Sequence, residues 1–464
     1  MKRSSRPARL LAILCLACLA LAAIGQGHPR GSAAGAGATY RAEDTAVVGY
    51  YAGWAAYQGY PPSALPAHLL THINYAFATI DPERGELALG DPDHDRKALA
   101  ALRQLREEHP HLELLISVGG WDYSTYFSDV ASTAARRDTF ARSCAAFLAE
   151  HGLDGIDLDW EYPVSGGLPG TIHRPQDGEN FTLLLHAIRA RLDEQGERDG
   201  KDYLLTVAGA ASEGYLRDIQ PQAVAEVVDH IFLMAYDIHG PWDSYADLNA
   251  PLYAPSERSP QYQNSVADSI QAYLDAGVPP EKLVLGMPLY GYLYQGVSGR
   301  NDGLYSTFTS AKSVSYDALV RRYLSDPAYR QLRHQEAQVP YLYGNSSFLS
   351  YEDPQSMAAK GELARSLGLG GIGFWELSQD RSAVLIESAR AALAGWPFSD
   401  VGEAHWSYDA VAFVYEKELM TGTSATTFSP GLPTTRGMLV TVLHRLEGAP
   451  SAGDAPFSDI PSGA

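Results

Sequence analysis

The chain has 464 residues, enough for more than one domain, and 45% of them are hydrophobic, which is sufficient for a large core. Its formal net charge of −20 argues against nucleic acid or an anionic membrane surface as a partner. Such an acidic surface is compatible with a neutral polysaccharide.

The N-terminus combines a basic start with an unbroken apolar run from Leu10 to Ile24. This run is short for a membrane span but suits the hydrophobic region of a secretory signal, and Ala20-Leu21-Ala22 offers a cleavage site. An uncleaved anchor helix is the alternative. We predict a signal peptide over residues 1–25, a Gly- and Ala-rich flexible lead-in over residues 26–44, and a secreted protein without membrane contact.

The three cysteines divide between the leader and the remainder of the chain. Cys15 and Cys18 would leave with the signal peptide, unless Cys18 is modified by lipid. Cys144 then remains alone, in an amphipathic helical stretch where a buried, inert thiol is expected. The exported protein would therefore have no internal disulfide.

Short apolar runs alternate with helical stretches over most of the chain, and this pattern predicts an α/β domain with a mostly parallel sheet. Helical stretches include Asp138–Glu150 and Asn180–Glu194, and Asp380–Ala394 is expected to be the last helix of the domain. The predicted strands are Val47–Tyr51, His72–Ala78, Leu112–Val118, Gly155–Glu161, Tyr203–Ala208, His230–Tyr236, Lys282–Pro288 and Gly371–Trp375.

Within the fourth of these strands, acids alternate with apolar residues. Period-2 alternation places Asp157, Asp159 and Glu161 on one face, each about 6.6 Å from the last along the strand. Trp160 points to the opposite, apolar face and is expected in the core. Like charges held this close raise the pKa of at least one carboxyl, so the strand is a candidate to carry a general acid.

Two other interpretations of the acidic run are weaker. A solvated edge strand could carry alternating acids, but here the opposite face is large and apolar. A calcium-binding loop requires Gly at its sixth position and Glu at its twelfth. Counted from Asp157, these positions are Tyr162 and Leu168, so the calcium loop is excluded.

The run from Asp154 to Glu161 resembles the D-G-x-D-x-D-x-E signature of family-18 glycoside hydrolases, the chitinase family. The resemblance implies a catalytic (β/α)8 TIM barrel over residues 45–394, with this run as its fourth strand and Glu161 as proton donor. It also implies that residues 292–350 form a small α+β insertion between strands 7 and 8, as one wall of a deep cleft.

Other strand ends support this resemblance. Ser117-Val118-Gly119-Gly120-Trp121 is similar to the family's S-x-G-G motif, and its glycines would let backbone pack beside the acidic strand. Met234-Ala235-Tyr236-Asp237 is similar to its M-x-Y-D motif, although Met234 is as well suited to the core. Trp375 would form the floor beneath the cleaved sugar. The predicted substrate-binding residues are Tyr50, Ser117, Trp121, Met234, Asp237 and Trp375, while Trp54, Trp121 and Trp242 could also simply pack.

The predicted mechanism follows from the single strand that carries the acids. Asp159 and Glu161 share one strand face, so they cannot flank a sugar as the two carboxyls of ordinary retaining glycosidases do. The resemblance implies substrate assistance instead, with the carbonyl oxygen of a 2-acetamido group as nucleophile. Glu161 would act as acid and then base, Asp159 would bind the acetamido N–H, Asp157 would share its proton, and Tyr236 would orient the carbonyl. Neither a metal nor a cofactor is expected.

Beyond Gly395-Trp396-Pro397, expected to be a linker, a repeat appears. Phe398-Ser399-Asp400-Val401 recurs as Phe457-Ser458-Asp459-Ile460, and two amphipathic helices are predicted between the copies. In the second helix the apolar positions are Leu439, Val442, Leu443 and Leu446, with Thr434 or Thr435 as N-cap.

This tail resembles the S-layer homology module, which holds exported bacterial proteins to cell-wall polysaccharide. The resemblance implies a small all-α helical-hairpin module over residues 398–450, a second repeat that begins at residues 456–464, and ligand contacts by Trp406 and Arg436. Gly437-Met438 replaces the usual Ala-Glu, which departs from the pattern at the ligand site. A helical hairpin that only packs on the barrel is the alternative.

The sequence thus predicts a secreted, monomeric chitinase associated with a bacterial cell wall or surface. One alternative is an endo-β-N-acetylglucosaminidase or peptidoglycan-glycan hydrolase of the same family, because these also use the acetamido group. Another is a non-catalytic chitin-binding lectin. The expected partners are chitin or its oligosaccharides and cell-wall polysaccharide, without nucleic acid.

Overall fold

The computed structural model describes residues 45–258, 264–396, 398, 400–402, 405–417, 419–423 and 427–446. The predicted signal peptide and lead-in lie outside these ranges, as does the predicted second repeat at residues 456–464. The chain divides into two compact units, Met1–Ala394 and Gly395–Ala464.

Eight parallel strands of the first unit close into a barrel. In order around the barrel they are β1 (Ala46–Ala52), β2 (His72–Ile80), β4 (Glu113–Gly119), β5 (Gly155–Asp159), β6 (Leu204–Ala210), β7 (His230–Met234), β8 (Leu283–Pro288) and β14 (Gly371–Trp375). A short strand, β3 (Leu87–Leu89), pairs antiparallel with β2. The circle closes because β1 pairs with both β2 and β14. The predicted (β/α)8 barrel is therefore confirmed.

Helices connect the strands on the outside of the barrel. The two predicted near the acidic strand are present and longer than expected, because Thr133 caps Ala134–His151 and the second runs over Asp177–Asp199. Cys144 is a buried free thiol in the first of these helices. The other α-helices of this unit are Pro92–Glu108, Gly120–Tyr123, Phe127–Ala131, Glu213–Asp218, Pro221–Val227, Val266–Asp275, Tyr316–Leu319, Pro354–Ser366 and Val384–Leu393.

Two strands end earlier than their sequence pattern predicts. β5 ends at Asp159 rather than Glu161, and β7 ends at Met234 rather than Tyr236. In both cases the chain turns away from its neighbours at the mouth of the barrel, and Asp237 adopts a positive φ of 55°. The residues beyond each strand therefore belong to loops above the barrel, where function concentrates in this fold.

The insertion predicted between the seventh and eighth barrel strands is present. It is a five-stranded antiparallel sheet in the order β10-β9-β13-β12-β11. Its first strand begins at Tyr290, two residues after β8 ends, so the insertion continues directly from a barrel strand. The strands are β9 (Tyr290–Gln295), β10 (Ser310–Ser315), β11 (Arg330–His334), β12 (Val339–Gly344) and β13 (Ser347–Ser350).

Trp160 lies in the core, as its strand face predicts. It is 1% exposed, stacks on Phe127 with 5.4 Å between ring centroids, and meets Phe181 edge-on at 5.6 Å. This packing anchors the outer face of the acidic strand, so the alternate residues are directed inward.

In the residues of the second unit that the structure describes, there are two helices, Tyr408–Glu416 and Arg436–Leu446. Phe398 packs edge-on against Tyr415 and Phe428, and Asp400 accepts the backbone N–H groups of Phe428 and Ser429 at 2.8 and 2.7 Å. The repeated F-x-D sequence therefore joins the start of the unit to the loop between its helices. Trp396 is 8% exposed and contacts Phe398, so the predicted linker is wrong at this residue: it is part of the packed unit.

The second helix forms as predicted, but its apolar side chains are not buried. Thr435 accepts the N–H of Met438 at 3.1 Å, which makes it the N-cap. Leu439, Leu443 and Leu446 are each more than half exposed. Periodicity thus identified the apolar face of this helix without showing whether anything covers it.

Candidate active site

Three acids line the open end of the barrel interior. Asp157 is fully buried, Asp159 is 4% exposed and Glu161 is 9% exposed. The first two lie on β5, and Glu161 follows two residues past its end. The alternation of the strand therefore stacks the acids from the interior toward the mouth of the barrel, with Glu161 nearest to the mouth.

Asp157 is held by three hydroxyl groups. Its Oδ2 accepts from Tyr50 at 2.9 Å and from Ser117 at 2.7 Å, and its Oδ1 accepts from Thr206 at 2.7 Å. Burial raises the pKa of Asp157, and the three donors oppose that rise. The donors come from β1, β4 and β6, so the barrel itself fixes this carboxyl.

Asp159 is buried with less support. Its Oδ1 has no hydrogen-bond partner in the described structure. Burial, then the charge of Glu161 and then that of Asp157, raise the pKa of Asp159 well above its usual range. These causes favour the protonated form of Asp159, and its Oδ1 is an oxygen that a ligand could satisfy.

Glu161 has the properties of a general acid. Its pKa is raised to about 7, and burial is the main cause. A hydrogen bond from Tyr162 acts to lower this pKa, and the charges of Asp237 and Asp122 act to raise it. An acid with this pKa is partly protonated at neutral pH and can also release its proton. Ser124 positions its backbone, since the hydroxyl accepts the Glu161 N–H at 2.9 Å and lies 3.0 Å from the Asp159 carbonyl oxygen.

Gly119 permits the close approach of β4 to the acidic strand. Its φ is 104°, and a Cβ at this position would lie 2.3 Å from the carbonyl oxygen of Asp159. A side chain here would push the two strand ends apart, so glycine is required on both conformational and steric grounds.

Tyr236 and Asp237 follow β7, which is separated from the acidic strand by β6 alone. Tyr236 is buried, and burial together with the charge of Asp159 raises the pKa of its hydroxyl. Asp237 is open to the cleft, but its Oδ1 accepts hydroxyl groups from Tyr290 at 2.6 Å and Tyr292 at 2.8 Å. The first strand of the insertion therefore contributes directly to this wall.

Aromatic rings form the floor. Trp375, half-buried at the end of β14, meets Tyr50 edge-on at 5.6 Å, stacks on Phe77 at 5.6 Å and contacts Trp54 at 6.3 Å. Trp54 is 42% exposed, and a cavity of about 250 Å³ lies beside it. Flat rings of this kind suit the C–H faces of sugars.

The other predicted binding residues are less tightly grouped. Trp121 follows β4 and is 48% exposed, and Trp242 is 62% exposed and meets the ring of Tyr292 at 5.9 Å. Met234 ends β7 and packs partly buried against the core. Trp121 and Trp242 are thus accessible to a ligand, whereas Met234 packs against the core.

Several site residues were not predicted. Asp122 directly follows Trp121, and the rule that chemistry lies at strand ends could have identified it. Tyr290 and Tyr292 begin a tyrosine-rich segment, but only the fold shows that they reach Asp237. Thr206, Ser124 and Tyr162 carry no sequence signal beyond their neighbourhood.

In the second unit, Trp406 is 82% exposed and its ring contacts that of His405 at 5.6 Å. Arg436 is the exposed first residue of the second helix. Both are accessible to a ligand. Within the described part of the chain, no helix is long and apolar enough to cross a membrane, and no group of three or more His, Cys, Asp or Glu side chains is arranged to bind a metal.

Comparison with known families gives two matches. The model of "Glycosyl hydrolases family 18" matches residues 46–380, and that of the "S-layer homology domain" matches residues 397–437. The first covers the barrel and its insertion, and it contains every acid of the candidate active site.

Individual proteins and structures that are similar to this chain agree with the family-18 match. Chitinase A1 of Niallia circulans is 40% identical over 417 residues, which cover 77% of this chain and 60% of that protein, so this chain spans less than two thirds of its length. The structure of chitinase ChiA74 from Bacillus thuringiensis has a TM-score of 0.72 at 32% identity, covering 76% of this chain and 70% of the other. A family-18 N-acetylglucosaminidase from Paenibacillus barengoltzii has a TM-score of 0.69 at 33% identity, covering 75% and 99%.

Proposed function

Because this chain belongs to family 18 of the glycosyl hydrolases, as a glycosidase of the chitinase type, we propose that it cleaves β-1,4 bonds between N-acetylglucosamine units of chitin or chitooligosaccharides. We further propose that cleavage proceeds with retention through an oxazolinium-type intermediate that the substrate's own acetamido group forms.

The observation that carries the mechanism is the position of Asp159. It is the last residue of β5, and Glu161 follows two residues later in the same run, so the two carboxyls line one side of the site and cannot flank a scissile bond. Its buried Oδ1 lacks a partner, which suits an acetamido N–H. The nucleophile is then the acetamido carbonyl oxygen.

The proposed reaction has two steps. Glu161 protonates the leaving glycosidic oxygen while the acetamido carbonyl oxygen attacks C1, and the Tyr236 hydroxyl orients that carbonyl. Asp159 accepts the acetamido N–H and shares its proton with Asp157. Glu161, now a carboxylate, removes a proton from water, which attacks C1, opens the oxazolinium ring and restores the original configuration.

A substrate change tests this mechanism. We expect an oligosaccharide with glucosamine in place of the N-acetylglucosamine on the non-reducing side of the scissile bond to resist cleavage at that bond, because it lacks the attacking oxygen. Product analysis by mass spectrometry checks this. Equal cleavage of this oligosaccharide and of the fully acetylated one would indicate a protein nucleophile.

The substrate class has alternatives within the family. The N-acetylglucosaminidase relative supports a substrate that contains N-acetylglucosamine, and glycoproteins or peptidoglycan glycans carry the same acetamido group. We expect release from chitin hexamer to exceed that from a glycoprotein and from a cell-wall preparation, because the floor extends from Trp375 to Trp54 and the cavity beside it. A non-catalytic lectin would bind the hexamer and release nothing.

For the second unit we propose export and attachment to cell-wall polysaccharide, with the protein a monomer in solution. The S-layer homology match and the exposure of Trp406 and Arg436 support this. We expect Trp406→Ala to reduce sedimentation with purified cell walls while chitin hydrolysis is unchanged. Unaltered sedimentation would contradict a ligand role for Trp406.

A further inference from the structure

Tyr290, Tyr292 and Tyr294 lie on one face of β9, because they alternate along the strand. Their rings form a continuous row, with 5.7 Å between the centroids of the first pair and 6.3 Å between those of the second. The hydroxyls of Tyr290 and Tyr292 both reach Oδ1 of Asp237, and that of Tyr294 does not. Two neighbouring tyrosines thus donate to the same carboxylate oxygen.

The backbone of Asp237 is fixed by the same sheet. Its N–H donates to Oδ1 of Asn249 at 2.9 Å, and the Asn249 N–H donates to Oγ of Ser350 at 2.8 Å. Ser350 on β13 is the registered partner of Tyr292 on β9. The contacts therefore form a closed circuit in which the insertion holds both the backbone and the side chain of Asp237.

We propose that Tyr292 is a positioning residue whose hydroxyl, together with that of Tyr290, fixes the Asp237 carboxyl in the site that holds Glu161, so that the insertion takes part in setting when the general acid carries its proton. This inference rests on the proposed function of Glu161.

The direction of the effect follows from the charges. Although Asp237 is open to the cleft, the protein packed around its carboxyl favours the neutral form, and the two tyrosine hydroxyls oppose this. The Asp237 charge in turn raises the pKa of Glu161. With Tyr292 removed, only Tyr290 opposes burial, so Asp237 takes up its proton at higher pH, and Glu161 loses part of the charge that keeps it protonated.

Other titratable groups also face this pair and remain in the variant. From β5 and the residues after it come Asp159 and Tyr162, from the residues after β4 comes Asp122, and from the residue after β7 comes Tyr236. Because the variant leaves these groups in place, a shift in the titration of Glu161 reports the loss of the Tyr292 hydroxyl.

Tyr292→Phe is the test, since it removes one oxygen and keeps the ring that contacts Trp242 and its neighbours. We expect the alkaline limb of kcat/KM on a chitooligosaccharide to move about half a pH unit to lower pH. The matched control is Tyr294→Phe, which removes a hydroxyl from the same face of the same strand and should leave the limb in place.

Two further measurements separate the possible failures. Titration of ¹³C-labelled carboxyl groups by NMR, with the Glu161 signal assigned from Glu161→Gln, should show the same shift without substrate. In an Asp237→Asn background, Tyr292→Phe should cause no additional shift. Superimposable wild-type and Tyr292→Phe titrations would overturn the inference, whereas wild-type protein without any cleavage would overturn the proposed function instead.

Discussion

At the carboxyl end of the barrel strands, Asp159 and Glu161 are buried acids whose pKa is raised, whereas at the amino end His72 and His230 are partly buried bases whose pKa is lowered. The two histidines begin β2 and β7, opposite each other in the barrel, and their rings meet edge-on at 6.0 Å. Burial is the largest cause at both ends, because it favours the neutral form of either type of group.

A perturbed pKa alone therefore does not identify a catalytic group. At the carboxyl end of the strands, the upper end, the acids lie at loops and aromatic rings that a ligand can reach. At the amino end, the lower end, His72 lies beside Thr71, whose Oγ1 is 2.7 Å from the His72 Nδ1. The surroundings therefore decide function, and the two ends predict opposite dependence of stability on pH.

The largest expected effect is the loss of turnover in Glu161→Gln. Without a proton donor and base, kcat on chitooligosaccharides should fall by a factor of about 10³ or more. Calorimetric titration should show that the variant still binds the oligosaccharide, because the floor is unchanged. Glu179→Gln, at an exposed glutamate, should retain full activity, and turnover near the wild-type rate in Glu161→Gln would exclude its catalytic role.

The same substitution should increase stability at alkaline pH. The pKa of Glu161 is about 7 in the folded protein and ordinarily 4.5, so the folded state binds more protons between these values. Stability associated with this group is complete below pH 4.5 and is lost as pH rises through 7. The difference between these two pKa values corresponds to about 3 kcal/mol of unfolding free energy. Glu161→Gln should therefore unfold at a higher urea concentration than wild type at pH 8.

Glu179→Gln again serves as the control and should match wild type at pH 8. Equal or lower stability of Glu161→Gln at pH 8 would show that its carboxylate is better supported than its burial implies. Activity and stability should thus change in opposite directions at this residue, as expected where a buried group is retained for function.

The lower end should behave in the opposite way. The pKa of His72 is lowered from 6.5 to about 4, so the unfolded state binds more protons in this window. Stability is complete above pH 6.5 and is lost as pH falls toward 4. When the pH is lowered from 7 to 4.5, the free energy of unfolding of wild type should therefore fall by about 2 kcal/mol more than that of His72→Gln. Urea unfolding at the two pH values measures this difference.

A matched control is His68→Gln, at an exposed histidine. Its pH dependence should parallel wild type, because carboxyl groups titrate alike in both proteins and cancel in the difference. If the free energy of unfolding changes equally with pH in His72→Gln and His68→Gln, the pair of His72 and His230 contributes nothing to acid sensitivity.

Sequence patterns predicted the fold of the first unit well, because parallel barrel strands are buried on both faces and appear as distinct apolar runs. The ends of β5 and β7 were predicted two residues too far, since the alternation of Asp159 with Glu161 continues into a loop. Alternation reports side-chain direction and cannot show where pairing to a neighbouring strand stops.

Site residues were predictable where the resemblance or a strand end marked them, as for Asp157 and Tyr236. Tyr292 was not, because its contact with Asp237 joins residues 55 positions apart across the insertion. Trp396 was missed for a similar reason: a Gly-Trp-Pro sequence is typical of a linker, and only the tertiary contact with Phe398 shows that it is packed.

The smallest expected effect concerns support for Asp157. Ser117→Ala removes one of its three donors, and Tyr50 and Thr206 remain. Losing a hydrogen bond of this type costs about 1 kcal/mol, so kcat/KM should fall about fivefold, with a higher pKa for Asp157. Ser143→Ala, which removes a hydroxyl that bonds to the backbone of Leu87 and Phe140 outside the site, should leave kcat/KM unchanged. If the two alanine variants were equally active, the hydroxyl ring around Asp157 would serve packing alone, and the upper end would resemble the lower end more closely than its geometry indicates.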